Sequence, residues 1–96
     1  MISAAQMRAA RALAGIDQRQ LAEKAGLSVP TIQRMEASEG VIRGNVDSLI
    51  KIVEALDAFD IELIAEGTLS QGSGRGVRLK VRARPDPSAE PDGIAQ

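Results

Sequence analysis

Apolar residues recur every three or four positions through the first sixty residues of the chain, and this spacing predicts a series of α-helices. Ser3 with Gln6 is a capping-box signature, which places the start of a first helix at about residue 4 and its end at about residue 14. Asp17 with Gln20 repeats the signature ahead of a second helix. Gly26 interrupts that helix, so we expect it to be short.

Two further helices are predicted downstream. Ser28 caps a third helix over residues 29–37, in which Pro30 is tolerated because the first turn lacks partners for its N–H groups. A loop follows, and Asn45 caps a fourth helix that ends near residue 58. The residues expected to face the interior are Met7, Ala10, Leu13 and Ala14, then Leu21, Ala22 and Ala25, then Ile32 and Met35, then Leu49, Ile50, Val53 and Leu56.

From residue 61 the hydrophobic period changes from about 3.6 to 2, which is typical of β-strands. Two alternating runs flank a Gly- and Ser-rich connection, and they pair most simply as an antiparallel β-hairpin. Three of the four prolines lie in the last stretch, which has little to bury and is expected to be disordered. We therefore predict a mainly α fold with a four-helix domain over residues 1–59, a hairpin over 60–82 and a tail over 83–96.

Composition excludes several classes of function. The chain is 44% hydrophobic with one aromatic residue, Phe59, and it contains no His and no Cys. Ser/His and Cys/His nucleophile pairs, zinc-finger ligand sets and disulfides are thereby excluded, so we expect neither an enzyme nor a metal or cofactor site. The sequence has no leader-like or membrane-spanning stretch, which favours a cytoplasmic location without membrane contact.

The segment from Gln18 to Glu36 has the pattern of a helix-turn-helix. Ala22 is small where two steeply crossed helices approach, and Gly26 permits the positive φ that the turn needs. The residues expected to form the shared core of this unit are Leu21, Leu27, Ile32 and Met35.

On these residues, the stretch from about Met7 to Leu56 resembles the Cro/phage-repressor type of helix-turn-helix domain, the XRE family. The resemblance implies that the helix after the turn enters the major groove of double-stranded DNA and that dimers read two half-sites about one helical turn apart. It assigns base reading to Val29, Pro30, Gln33 and Arg34, and phosphate contacts to Gln18, Arg19, Ser28, Thr31 and Arg43. It also implies an ion pair between Arg11 and Glu36 that joins the first helix to the third.

The chemistry of these side chains suits such roles. Arg34 can donate two hydrogen bonds to guanine, Gln33 can pair with adenine or reach a phosphate, and Val29 or Pro30 can touch a thymine methyl group. The alternative is that Gln33 and Arg34, like Gln18, are ordinary solvated helix surface, and that Arg11 and Glu36 are unconnected charges. The basic residues of the second alternating run are more often a solubilising edge than a DNA contact.

A two-stranded hairpin is marginal in water by itself, so we expect it to join two copies of the chain. The residues expected at this homodimer interface are Ile61, Leu63, Ile64, Val77, Leu79 and Val81. Similar short regulators have a Gly at the junction before the hairpin, where this chain has Asp60. The predicted function is a sequence-specific transcriptional regulator, a repressor that binds a pseudo-palindromic operator. The alternative is an antitoxin-like module that holds a protein partner through the hairpin or the tail.

Overall fold

The computed structural model describes residues 2–42 and 44–80, and its regular elements are four α-helices. They are α1 (Ala4–Ala14), α2 (Gln18–Ala25), α3 (Val29–Glu36) and α4 (Val46–Ala58). The predicted mainly α architecture is confirmed, and the helix boundaries agree with those expected from the capping residues. The predicted interface residue Val81, the predicted phosphate contact Arg43 and the tail over 83–96 lie outside the described residues.

Side-chain caps define the start of each helix. The Ser3 hydroxyl accepts from the Gln6 N–H at 3.0 Å while the Gln6 side chain accepts from the Ser3 N–H at 2.8 Å, and Asp17 with Gln20 forms the same reciprocal pair. Gly26 ends α2 at φ 72°, a left-handed conformation in which other residues are strained. Each cap satisfies backbone groups that a helix end would otherwise expose.

The core is aliphatic and lies where α2 packs against both α3 and α4 while α1 packs against α3. Its largest fully buried side chains are Met7, Leu21, Ile32, Ile42, Ile52 and Leu56. Leu27 and Leu49 are partly buried against this cluster. The one aromatic ring, Phe59, lies half-buried at the edge, so the apolar core itself is built from aliphatic side chains.

Three residues predicted to face inward are largely exposed instead. Leu13 is 49% exposed, and Ile50 and Val53 are 49% and 44% exposed. In α4 the inner face is formed by Ile52, Ala55 and Leu56, with Leu49 at its margin. The prediction was wrong here because α4 carries apolar residues on more than one of its own faces. The sequence pattern alone is therefore compatible with either of two faces being buried.

The start of the chain is attached to the loop that follows α3. Ser3 and Val41 form an isolated antiparallel bridge, in which the Ala4 N–H donates to the Gly40 carbonyl and the Ile42 N–H donates to the Ile2 carbonyl, each at 3.0 Å. Ile2 and Ile42 are both buried. These contacts hold Ile2 and Ser3 against the loop, and the side chains of Ile2 and Ile42 are part of the aliphatic core.

After α4 the chain turns at Asp60, which adopts the left-handed conformation with φ 64°. Ile61 and Leu63 then pack against the core, whereas residues 65–80 are exposed. Residues 2–42 and 44–80 contain no β-strand, so the hairpin stays a prediction.

Candidate nucleic-acid interface

Helix α3 has two faces of opposite character. Its inner face carries Ile32, Met35 and Glu36, which are at most 5% exposed. Its outer face carries Pro30, Gln33 and Arg34, which are exposed to solvent. A helix with one buried and one free face can enter a groove of DNA while the domain behind it stays intact.

The first turn of α3 is capped by Ser28. The Ser28 hydroxyl accepts from the Thr31 N–H at 3.2 Å and lies 2.8 Å from the Thr31 hydroxyl. Pro30 occupies the first turn, and Val29 is half-buried against the core. Of the two predicted thymine contacts, Pro30 is therefore the more accessible. Ser28 and Thr31 place two hydroxyl groups at the N-terminal end of α3, where the helix dipole is positive.

Arg34 lies on the side of α3 that faces the start of α4. It lines a shallow cleft of about 180 Å³ together with Thr31, Met35, Gly44, Asn45 and Ser48. Within residues 2–42 and 44–80, the Arg34 guanidinium forms no ion pair. Its donors are thus available for an external acceptor, such as a base edge or a phosphate.

Glu36, at the C-terminal end of α3, is the one buried charged residue of the described ranges, at 4% exposed. Arg11 donates to it from two nitrogens, with 2.6 Å between Nε and Oε2 and 2.8 Å between Nη2 and Oε1. The hydrogen bond to Glu36 raises the pKa of Arg11, and burial opposes that rise. This bidentate ion pair fixes α3 to α1 and so fixes the angle at which α3 projects from the domain.

Gln18 belongs to the same network. Its Nε2 donates to Glu36 Oε1 at 3.1 Å, and the side chain is half-buried. Sequence reasoning placed Gln18 on a phosphate, whereas the structure joins it to the carboxylate that Arg11 also binds. One Nε2–H remains for a further acceptor, so the two roles are compatible.

Sequence reasoning missed the role of Arg8. Its Nη1 donates to the backbone carbonyl of Glu36 at 2.5 Å, which satisfies an acceptor at the end of α3. Arg8 and Arg11 are three residues apart and therefore lie on one face of α1. This spacing could have indicated that Arg8 contacts the same end of α3 as Arg11. Arg19, a predicted phosphate contact, is exposed near the start of α2.

None of the described helices is long and apolar enough to cross a membrane. The same residues contain no group of acidic side chains suited to hold a metal ion.

The comparisons with known proteins bear on the unit that α1–α4 form. A family model described as helix-turn-helix matches residues 7–64, which is more than half of the chain. Comparison with curated proteins and with solved structures finds no match. The matched range contains the whole Arg11–Gln18–Glu36 network and all of α3. The chain therefore belongs to the helix-turn-helix family of the Cro/C1 (XRE) type, a family of DNA-binding regulators.

Proposed function

We propose that this protein is a sequence-specific repressor that binds a pseudo-palindromic operator as a homodimer. The observation that carries the proposal is the free outer face of α3, where Gln33 and Arg34 are exposed while the opposite face is buried. A two-fold dimer presents two such helices to successive major grooves about one helical turn apart, roughly 34 Å.

In this arrangement specificity comes from base edges and affinity from phosphates. Arg34 reads a guanine through two hydrogen bonds, Gln33 pairs with an adjacent base, and Pro30 touches a thymine methyl group. Arg19, Ser28 and Thr31 contact phosphates on either side of the groove. The buried Arg11–Glu36 pair contacts no DNA and acts through the orientation of α3.

The operator is first identified by selecting bound duplexes from a random pool at a fixed salt concentration. The wild type is expected to enrich two inverted half-sites. Arg34→Ala should relax the preference at one position of each half-site by about 1–3 kcal/mol, while Arg19→Ala should weaken all sequences alike and lower the salt slope by about one.

Lys24→Ala serves as the control for the loss of one positive charge. Lys24 lies on α2 and lines a separate cleft with Gln20, Glu23 and Phe59. Its variant is expected to keep both the preferred sequence and its affinity. Equal losses of Arg34→Ala on operator and random DNA would contradict the base-reading role.

A further inference from the structure

The C-terminal segment of the described chain presents uncovered apolar side chains and uncovered backbone. Leu69, Val77 and Leu79 are 81%, 77% and 88% exposed. Within the described ranges, the single backbone–backbone hydrogen bond donated from residues 62–80 runs from the Thr68 N–H to the Ala65 carbonyl, at 3.1 Å. Unpaired backbone N–H and C=O groups of this kind are a template for pairing with another strand.

The first part of this segment is fixed on its own helical domain. Ile61 and Leu63 pack against the core, and Gln6 Nε2 donates to the Ile64 carbonyl at 3.2 Å. In extended backbone, successive residues direct their N–H and C=O groups to opposite sides. When residues 62–65 take up a strand conformation, the contact with Gln6 occupies the edge on which the Ile64 carbonyl lies. The opposite edge, which carries the N–H and C=O groups of Leu63, is then open to a second strand.

We propose that residues 77–80 of one copy pair antiparallel with residues 62–65 of a second copy, and that residues 77–80 of the second copy pair in the same way with residues 62–65 of the first. In the register that keeps the two apolar faces together, Leu63 lies opposite Leu79 and Ala65 lies opposite Val77. The inference deepens the proposed dimer and rests on it, because it names the strands through which the two copies join.

Charge supports this antiparallel register. The acidic residues of the segment, Glu62 and Glu66, lie in its first part, and its basic residues, Arg78 and Lys80 among them, lie in its last part. The exchange places Glu62 opposite Lys80 twice in each dimer. Opposite charges in cross-strand positions favour a pairing, whereas like charges oppose it.

The contacts within one copy do not form this pairing. The Ser70 hydroxyl donates to Glu62 Oε1 at 3.4 Å, and Arg78 Nη2 donates to the Thr68 carbonyl, so that Glu62 faces Ser70 within its own chain. Residues 66–76 contain four glycines and span up to roughly 36 Å when extended. The connection is long enough to carry residues 77–80 to a neighbouring copy.

A charge exchange between two variants tests the proposal without DNA, so its result is independent of operator binding. Glu62→Lys places like charges opposite each other in its homodimer, and Lys80→Glu does the same. A mixture of the two variants restores both opposite-charge pairs. The dimer dissociation constant of each variant alone should rise about tenfold, and mixing should return it to the wild-type value with the heterodimer in excess.

Native mass spectrometry with one isotopically labelled variant measures these populations. Glu54→Lys and Lys24→Glu, at exposed helical positions, form the control pair and should mix statistically. A statistical mixture of Glu62→Lys and Lys80→Glu, or a wild type that stays monomeric at tens of micromolar, would overturn the proposal.

Disulfide trapping gives a second readout, because the chain has no cysteine of its own. Ala65→Cys mixed with Val77→Cys should form a covalent heterodimer on mild oxidation, since opposite Cα atoms in an antiparallel pair lie within disulfide range. Ala65→Cys mixed with Arg78→Cys, which points to the other face, should not. The double variant Ala65→Cys/Val77→Cys should yield covalent dimers, and closure within a monomer would establish an intramolecular hairpin and overturn the exchange.

Discussion

The ion pair between Arg11 and Glu36 gives the sharpest test of how α3 is held. Arg11→Met keeps most of the aliphatic side-chain length and removes both donors to the carboxylate, which then retains the hydrogen bond from Gln18. Glu36 is 4% exposed, so its charge remains buried without a compensating cation. Breaking a buried pair in this way costs about 3–5 kcal/mol.

The lower end of that range applies, because the Arg11 side chain is 21% exposed and water reaches one side of the pair. A domain of about 60 residues has a total stability of roughly 3–9 kcal/mol, so the variant loses a third of its stability or more. Urea unfolding followed by far-ultraviolet circular dichroism measures the loss.

The double variant Arg11→Met/Glu36→Gln separates the two causes of lost stability, the uncompensated buried charge of Glu36 and the lost packing of the Arg11 side chain. The amide has nearly the shape of the carboxylate and carries no charge, so the double variant should recover at least about 1 kcal/mol relative to Arg11→Met. An Arg11→Met protein within 1 kcal/mol of wild type would refute this reasoning. So would a double variant no more stable than Arg11→Met.

Two further predictions concern stability. Gly26→Ala should cost about 1 kcal/mol, because φ is 72° there although nothing lies within 4 Å of an added Cβ, whereas Gly44→Ala, with open space and no such φ, should be neutral in thermal unfolding. The pKa of Arg11 is raised in the folded protein. The contribution of its charge to the free energy of unfolding is therefore fully present below the unfolded-state pKa and is lost as pH rises through the folded-state pKa. The stability difference between wild type and Arg11→Met should therefore stay constant from about pH 7 to about pH 10, and a decline across that interval would contradict the assignment.

Helix boundaries could be predicted from the sequence because the signals are local. The hydroxyl of Ser3 and the amide of Gln6 bond within one turn, and Gly26 adopts its φ for reasons contained in a few residues. The inner face of α4 could not be predicted, because Ile50 and Ile52 are equally apolar and only the position of α2 decides which of them is buried.

In the candidate interface, too, the features set by local spacing could be predicted from the sequence and the contacts between distant residues could not. The outer face of α3 follows from the spacing of Ile32 and Met35, which determines the side that remains free. The contact of Gln18 with Glu36 joins residues 18 positions apart on two helices, and no periodicity encodes it. In the exchange proposed above, residues 62–65 pair with a strand of a second molecule, and no pattern within one chain encodes which copy supplies that strand.

The bridge between Ser3 and Val41 has a practical consequence for work on this protein. Because Ile2 is buried and its carbonyl accepts from the Ile42 N–H, the chain ahead of Ile2 starts beside the connection between α3 and α4. An amino-terminal purification tag would thus sit close to the surface expected to meet the operator, and affinities are best measured after its removal.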